Sequence, residues 1–175
     1  MIYNNVEEIY QSIDKTRAKL IETVELIPTE KRIARENNEG WSVAEIVEHL
    51  GIIEGGLTQI ITKLLEKAEI DGKMSDGTFN PPLSLVKYVE SANGQKFQAP
   101  ERVRPQGTQS IEESLVKLTE NRSALRTLQI RIEAVDSTDP KFPHPAFGGL
   151  NLYEWLGFIG LHEFRHLQQI KRIIG

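Results

Sequence analysis

The sequence predicts an all-α fold, a four-helix bundle with a long crossover connection between helices 2 and 3. Three observations predict it. Four long segments carry apolar residues at spacings of three, four and seven, which is one stripe of a helix. Helix starts are marked by a capping residue with Glu three positions on: Ser42/Glu45, Ser110/Glu113 and Asn151/Glu154. A Gly- and Pro-punctuated stretch over 71–107 separates the second helical segment from the third, too long for a turn between adjacent antiparallel helices. No segment reads as a convincing strand. Four amphipathic helices bury their stripes by packing on one another.

The first helix covers about Asn5 to Ile27, with Val6, Ile9, Tyr10, Ile13, Leu20, Val24 and Ile27 on its stripe. Asn4 or Asn5 can cap it, and Pro28 ends it. The second opens at the Ser42 cap, with Trp41 packing back as a staple, and runs through Val43, Ile46, Val47, Leu50, Leu57, Ile61 and Leu64. Gly51, Gly55 and Gly56 lie inside it. They read either as points of close approach or as neutral drift. A short helix over 83–90 fits within the crossover. The third helix starts at Thr108 or Ser110 and runs through Leu118, Leu125, Leu128 and Ile132. Arg122 falls on its stripe, either paired in the core or snorkelling at an edge. A second loop, 136–149, leads to the fourth helix, which is apolar nearly all round in its first half and therefore central.

At 175 residues, with 39% hydrophobic and 26% charged content, the chain reads as one domain over 1–175. Net charge is −4, which argues against a nucleic-acid partner. There is no cysteine, so disulfides, thiolate ligands and a cysteine nucleophile are excluded. The N-terminus lacks the pattern of a signal peptide and no apolar run reaches membrane-spanning length. A cytoplasmic protein without a membrane partner is the expectation.

Candidate chemistry concentrates in Leu161-His162-Glu163-Phe164-Arg165-His166-Leu167. Residues i and i+4 share one face of a helix, one turn apart, so the imidazoles of His162 and His166 can aim at a common atom. Neutral imidazole suits divalent transition metals. Of the two other histidines, His49 lies on helix 2, beside its stripe, and would face helix 4 in a bundle. Three imidazoles leave a coordination position open, as in catalytic rather than closed structural sites. The other reading is that these histidines are packed or capped side chains. The letters of 162–166 also spell His-Glu-x-x-His, a protease pattern. That reading fails, because the nine residues after His166 include no acidic residue or histidine to complete it.

Gly40-Trp41-Ser42 leading into Glu48-His49-Leu50 resembles the DinB superfamily, in its YfiT-like branch. So do His144-Pro145-x-Phe147-Gly148, Glu154-Trp155-Leu156 and His162-Glu163-x-Arg165-His166-Leu167-x-Gln169-Ile170. The resemblance implies a crossed-over four-helix bundle in which His49, His162 and His166 hold a divalent metal, zinc or nickel. It further implies a metal-dependent hydrolase or a thiol S-transferase of the bacillithiol-dependent kind, acting on a small molecule, and a homodimer. The rival reading is a non-catalytic, stress-related binding module that keeps the bundle, with or without the metal.

Other residues have two readings each. His144, between two prolines, either contacts substrate or acts as general acid or base, or fixes its loop by a hydrogen bond. Glu163 and Arg165 point away from the histidine face, toward surface pairing or support of the ligands. Trp41 and Trp155 are assigned to core packing. Lys96, Arg102 and Arg104 are candidates to meet a thiol cosubstrate.

Overall fold

The structure, a computed structural model, describes residues 3–38, 40–79 and 99–175. Among them are five α-helices: α1 (Val6–Glu25), α2 (Val43–Ile70), α3 (Ile111–Thr127), the short α4 (Gln129–Ala134) and α5 (Leu152–Ile174). The expected helix over 83–90, and Lys96, lie outside the described residues.

Local sequence sets the boundaries. Asn5 caps α1 by accepting from the amide of Glu8. Ser42, Ser110 and Asn151 each make a complete capping box, with Glu45, Glu113 and Glu154 reaching back to the cap amide. The third predicted helix is in fact two. It ends at Thr127, where the Leu128 amide bonds back to Leu125, and resumes as α4. No Pro or Gly marks this break, so the sequence does not announce it.

The reading of the second loop as strandless is corrected. Lys141–His144 (β1) and Gly148–Asn151 (β2) form an antiparallel hairpin, with Phe142 opposite Leu150 and His144 opposite Gly148. Four-residue strands containing Pro143 and two glycines carry too short an alternation to read as strands.

Contact registers fix the topology. The Gly51 carbonyl accepts from Asn121, Glu54 meets Arg122, and Met74 bridges Val135, so α2 and α3 run parallel. Glu7 with Arg126, Asp14 with Arg122, and the Leu118 carbonyl with Arg17 make α1 and α3 antiparallel. Ile13 beside Gly160, and Arg17 bonded to Glu163, make α1 and α5 parallel. Parallel α2 and α3 require the chain to return along the bundle between them, which is the predicted crossover.

The interior consists of two apolar clusters. One joins Val6, Ile9, Tyr10 and Ile13 of α1 to Leu57, Ile61 and Leu65 of α2, Leu125 of α3, and Trp155, Leu156 and Ile159 of α5. The other joins Leu20 and Val24, Val43, Ile46 and Leu50, Leu118, and Leu167 and Ile170. Between them each long helix places one charged residue on its apolar stripe: Arg17, Glu54, Arg122 and Glu163, all buried. Arg17 bonds both Glu54 and Glu163. Arg122 bonds Glu54 at 2.8 Å, Glu163 at 3.4 Å and Asp14 at 2.9 Å. Arg122 is therefore ion-paired in the core, and the edge-snorkelling reading is set aside. Burial pushes the Glu163 carboxyl upward, and the charges of Arg17 and Arg122 pull it back.

At Gly160 the packing uses the missing side chain. A Cβ there would lie 2.8 Å from Cγ2 of Ile13. At Gly51 and Gly55 a Cβ would find ordinary contacts of 3.7 and 3.5 Å, and at Gly56 nothing within 4 Å. Those three are not sterically required.

Two consequences are measurable by denaturant unfolding. Gly160→Ala forces α1 off α5 and should lower stability by about 1–3 kcal/mol. Arg17→Met leaves the buried carboxylates of Glu54 and Glu163 to share the single guanidinium of Arg122 and should cost about 3–5 kcal/mol, whereas Arg131→Met, at an exposed pair with Glu69, should cost less than about 1 kcal/mol.

Candidate metal centre

The capping box at Ser42 starts α2 so that His49 falls on the bundle's inner side, buried at 2% exposure. The capping box at Asn151 does the same for α5, bringing His162 and His166 to face it, half-buried and buried respectively. One ligand nitrogen from each of the three lies within 4.8 Å of the others. The Nε2 atoms of His49 and His162 are 3.4 Å apart. Two imidazole nitrogens bound tetrahedrally at zinc distances stand about 3.3 Å apart, so this edge already has the needed length.

The outer nitrogens explain which atoms converge. Nδ1 of His49 donates to the Val103 carbonyl at 2.6 Å. Nδ1 of His166 donates to Oε1 of Gln169 at 2.9 Å, one turn along α5. Each of these bonds puts the ring proton on Nδ1 and leaves the Nε2 lone pair facing the cluster. Carbonyl partners on outer ring nitrogens are what metal-ligating histidines use to fix their tautomer.

The electrostatics agree. Burial pushes the His49 pKa down, only partly offset by the bond to Val103. Burial, then the neighbouring His166 and His49, holds His162 well below the ordinary range. Burial pushes His166 down to about 3. Neutral imidazoles with convergent lone pairs are the donor set a divalent transition ion requires.

Aromatic rings enclose the triad. Trp41 is not simply core: its ring lies 4.7 Å from that of His49 and stacks over His166 at 6.3 Å. On the other side, Phe158 lies 5.7 Å from His162. His144, at the end of β1, is edge-on to Phe158 at 4.7 Å and stacked on Phe147 at 4.5 Å. The hairpin thus carries His144 toward the triad without joining it. Its Nδ1 accepts from the Ala146 amide at 3.1 Å, the loop-fixing bond, so the ring proton sits on Nε2. Burial holds His144 below its ordinary pKa as well. Trp155 is core, buried and donating to the Phe142 carbonyl at 3.3 Å.

Glu163 is buried in the ion-pair layer rather than at the surface, and Arg165 is exposed. Arg102 and Arg104 are exposed on either side of Val103, beside His49. Sequence reasoning missed Arg17, Glu54 and Gln169. The signal for the first two was present: each interrupts an apolar stripe, as Ile13-x-x-x-Arg17-x-x-Leu20 and Leu50-x-x-x-Glu54-x-x-Leu57.

A crossed-over four-helix bundle with three imidazoles converging from two helices defines the class. The chain belongs to the DinB superfamily, whose sequence profile matches residues 12–170. It is 28% identical over 149 residues to the uncharacterized protein YuaE of Bacillus subtilis (strain 168), a match covering 82% of this chain and 83% of that protein. Two solved structures share the fold. TT2238, a four-helix bundle protein, has a TM-score of 0.64 and 20% identity, covering 94% of this chain and 97% of its own. YfiT from Bacillus subtilis is described as a probable metal-dependent hydrolase with an unusual four-helix bundle topology. It has a TM-score of 0.61 and 17% identity, covering 95% of this chain and 84% of its own. Among the described residues no helix is long and apolar enough to cross a membrane.

Proposed function

We propose that this chain is a metal-dependent hydrolase of a small-molecule substrate, with zinc or nickel held by Nε2 of His49, His162 and His166. The observation that carries the reading is the convergence of three neutral imidazoles, two of them with Nδ1 tied to a carbonyl oxygen. The description of YfiT as a probable metal-dependent hydrolase supports it by likeness of fold. A divalent ion at this position supplies Lewis acidity, polarising a bound carbonyl or lowering the pKa of a bound water or thiol.

The chain's own residues divide the remaining work. Trp41 and Phe158 flank the triad with apolar ring surface, Trp41 beside His49 and Phe158 beside His162. His144, with its ring proton on Nε2, is the residue placed to donate to a substrate oxygen and assist proton transfer to a leaving group.

Thiol S-transfer is the second reading. Exposed Arg102 and Arg104, flanking the residue that holds His49, favour it by suiting an anionic thiol cosubstrate. A binding module without turnover is the rival from outside enzymology.

Metal analysis of the purified chain tests the ligand set. Wild type should hold about one ion per chain, and His49→Ala, His162→Ala and His166→Ala should each fall to near background. His144→Ala should keep its metal and lose turnover by about 10²–10⁴-fold. Equal metal in wild type and all three triad variants contradicts the site. Turnover of ester or amide substrates without added thiol supports hydrolysis. A strict thiol requirement supports transfer, and stoichiometric metal with no turnover supports the binding module.

A further inference from the structure

The residue preceding the first triad histidine is itself a buried carboxylate. Glu48 is 2% exposed, one position before His49 in α2. It is taken up by the returning end of the crossover. The backbone amides of Gln106 and Gly107 donate to its two carboxylate oxygens at 3.2 and 2.8 Å. Gly107 adopts φ +69°, the left-handed conformation that glycine takes without cost, just before the Ser110 cap of α3. A few residues earlier, the Val103 carbonyl, at the end of a single turn over Glu101–Val103, accepts Nδ1–H of His49. Consecutive residues of α2 therefore grip the same stretch, 103–107. Glu48 holds it by two amides and His49 by one carbonyl.

The two grips serve different ends. A buried carboxylate needs strong donors, and the two amides meet that need. The His49 ring needs an acceptor at Nδ1 if its Nε2 lone pair is to face His162 and His166. His166 takes its acceptor from its own helix, through Gln169. His49 takes its acceptor from a segment 54 residues away in sequence. That acceptor stays in place only while 103–107 stays docked.

We propose that Glu48 is a positioning residue of the metal centre. By fastening 103–107 to α2 it fixes the Val103 carbonyl, and through it the proton on Nδ1 of His49 and the lone pair on Nε2. The inference rests on the metal-centre reading of the triad. Coupling of this kind is reciprocal. An ion held at Nε2 tightens the docked segment, and loosening the segment weakens the ion.

The test uses the full chain as wild type, Glu48→Ala and Glu48→Gln. Zn²⁺ and Ni²⁺ affinities are measured by competition with a chromophoric chelator. Amide hydrogen exchange over 103–107 is followed with and without each ion. Glu48→Ala should bind either ion about 10–100-fold more weakly. Glu48→Gln, which keeps one acceptor oxygen, should fall between. In wild type the ion should slow exchange at Gln106 and Gly107. In Glu48→Ala those amides should exchange fast with or without it, while α5 keeps its protection, which separates positioning from general unfolding. Glu48→Gln carries the same comparison if the alanine variant does not fold. Unchanged affinity and unchanged exchange in the variants, with a wild type that binds metal, overturn the role of Glu48 alone. A wild type that takes up neither ion overturns the metal centre and this coupling together.

Discussion

The structure depends on a layer of buried charge at the waist of the bundle. Arg17, Glu54, Arg122 and Glu163 come one from each long helix and sum to zero charge. They separate two apolar clusters that would otherwise be continuous. Apolar stripes can slide past one another by a turn at modest cost. Two guanidiniums and two carboxylates buried together cannot, because any slip strands a charge in the core. The layer therefore specifies the register of all four helices more than it adds to net stability. Glu163 also directly follows His162 and lies three residues before His166. Fixing its direction into the core fixes the rotation of α5 and turns both histidines toward α2. The register that places Glu54 against both arginines places His49 less than two turns earlier, opposite them.

Around that layer the site is assembled from three kinds of support. Helix caps set where α2 and α5 begin, and so where their histidines fall. Carbonyl oxygens of Val103 and Gln169 choose the tautomers. Aromatic rings close the flanks, Trp41 over His49 and His166, and Phe158 with the hairpin at His144 beside His162. None of these supports is itself a ligand. Each removes a freedom of the three imidazole rings, which is the physical content of preorganisation.

Much of this was legible in the sequence. Capping boxes are local, so Ser42, Ser110 and Asn151 announced their helices. The i, i+4 spacing of His162 and His166 is a property of one helix, and a chain with four histidines left few partners to choose from. The long 71–107 connection forecast the parallel pairing of α2 and α3. What was hidden is non-local. Arg17 and Glu54 each interrupt an apolar stripe, but what Arg17 pairs with lies 146 and 37 residues away, so nothing local names the partner. Arg122 stands out on its apolar stripe, yet nothing local chooses between a paired and an edge position. The hairpin escaped because its strands are four residues long and Pro143 interrupts them. The carbonyl of Val103 carries no side-chain signature at all, so the support of His49 could not be read from residue types.

The central claim is that three imidazoles from two helices converge on one divalent ion and leave it an open position. X-ray absorption spectroscopy on the zinc- or nickel-loaded chain tests this most directly. The account predicts three imidazole nitrogens at about 2.0–2.1 Å, with at least one further light ligand from solvent. An all-oxygen shell without imidazole scattering would contradict it.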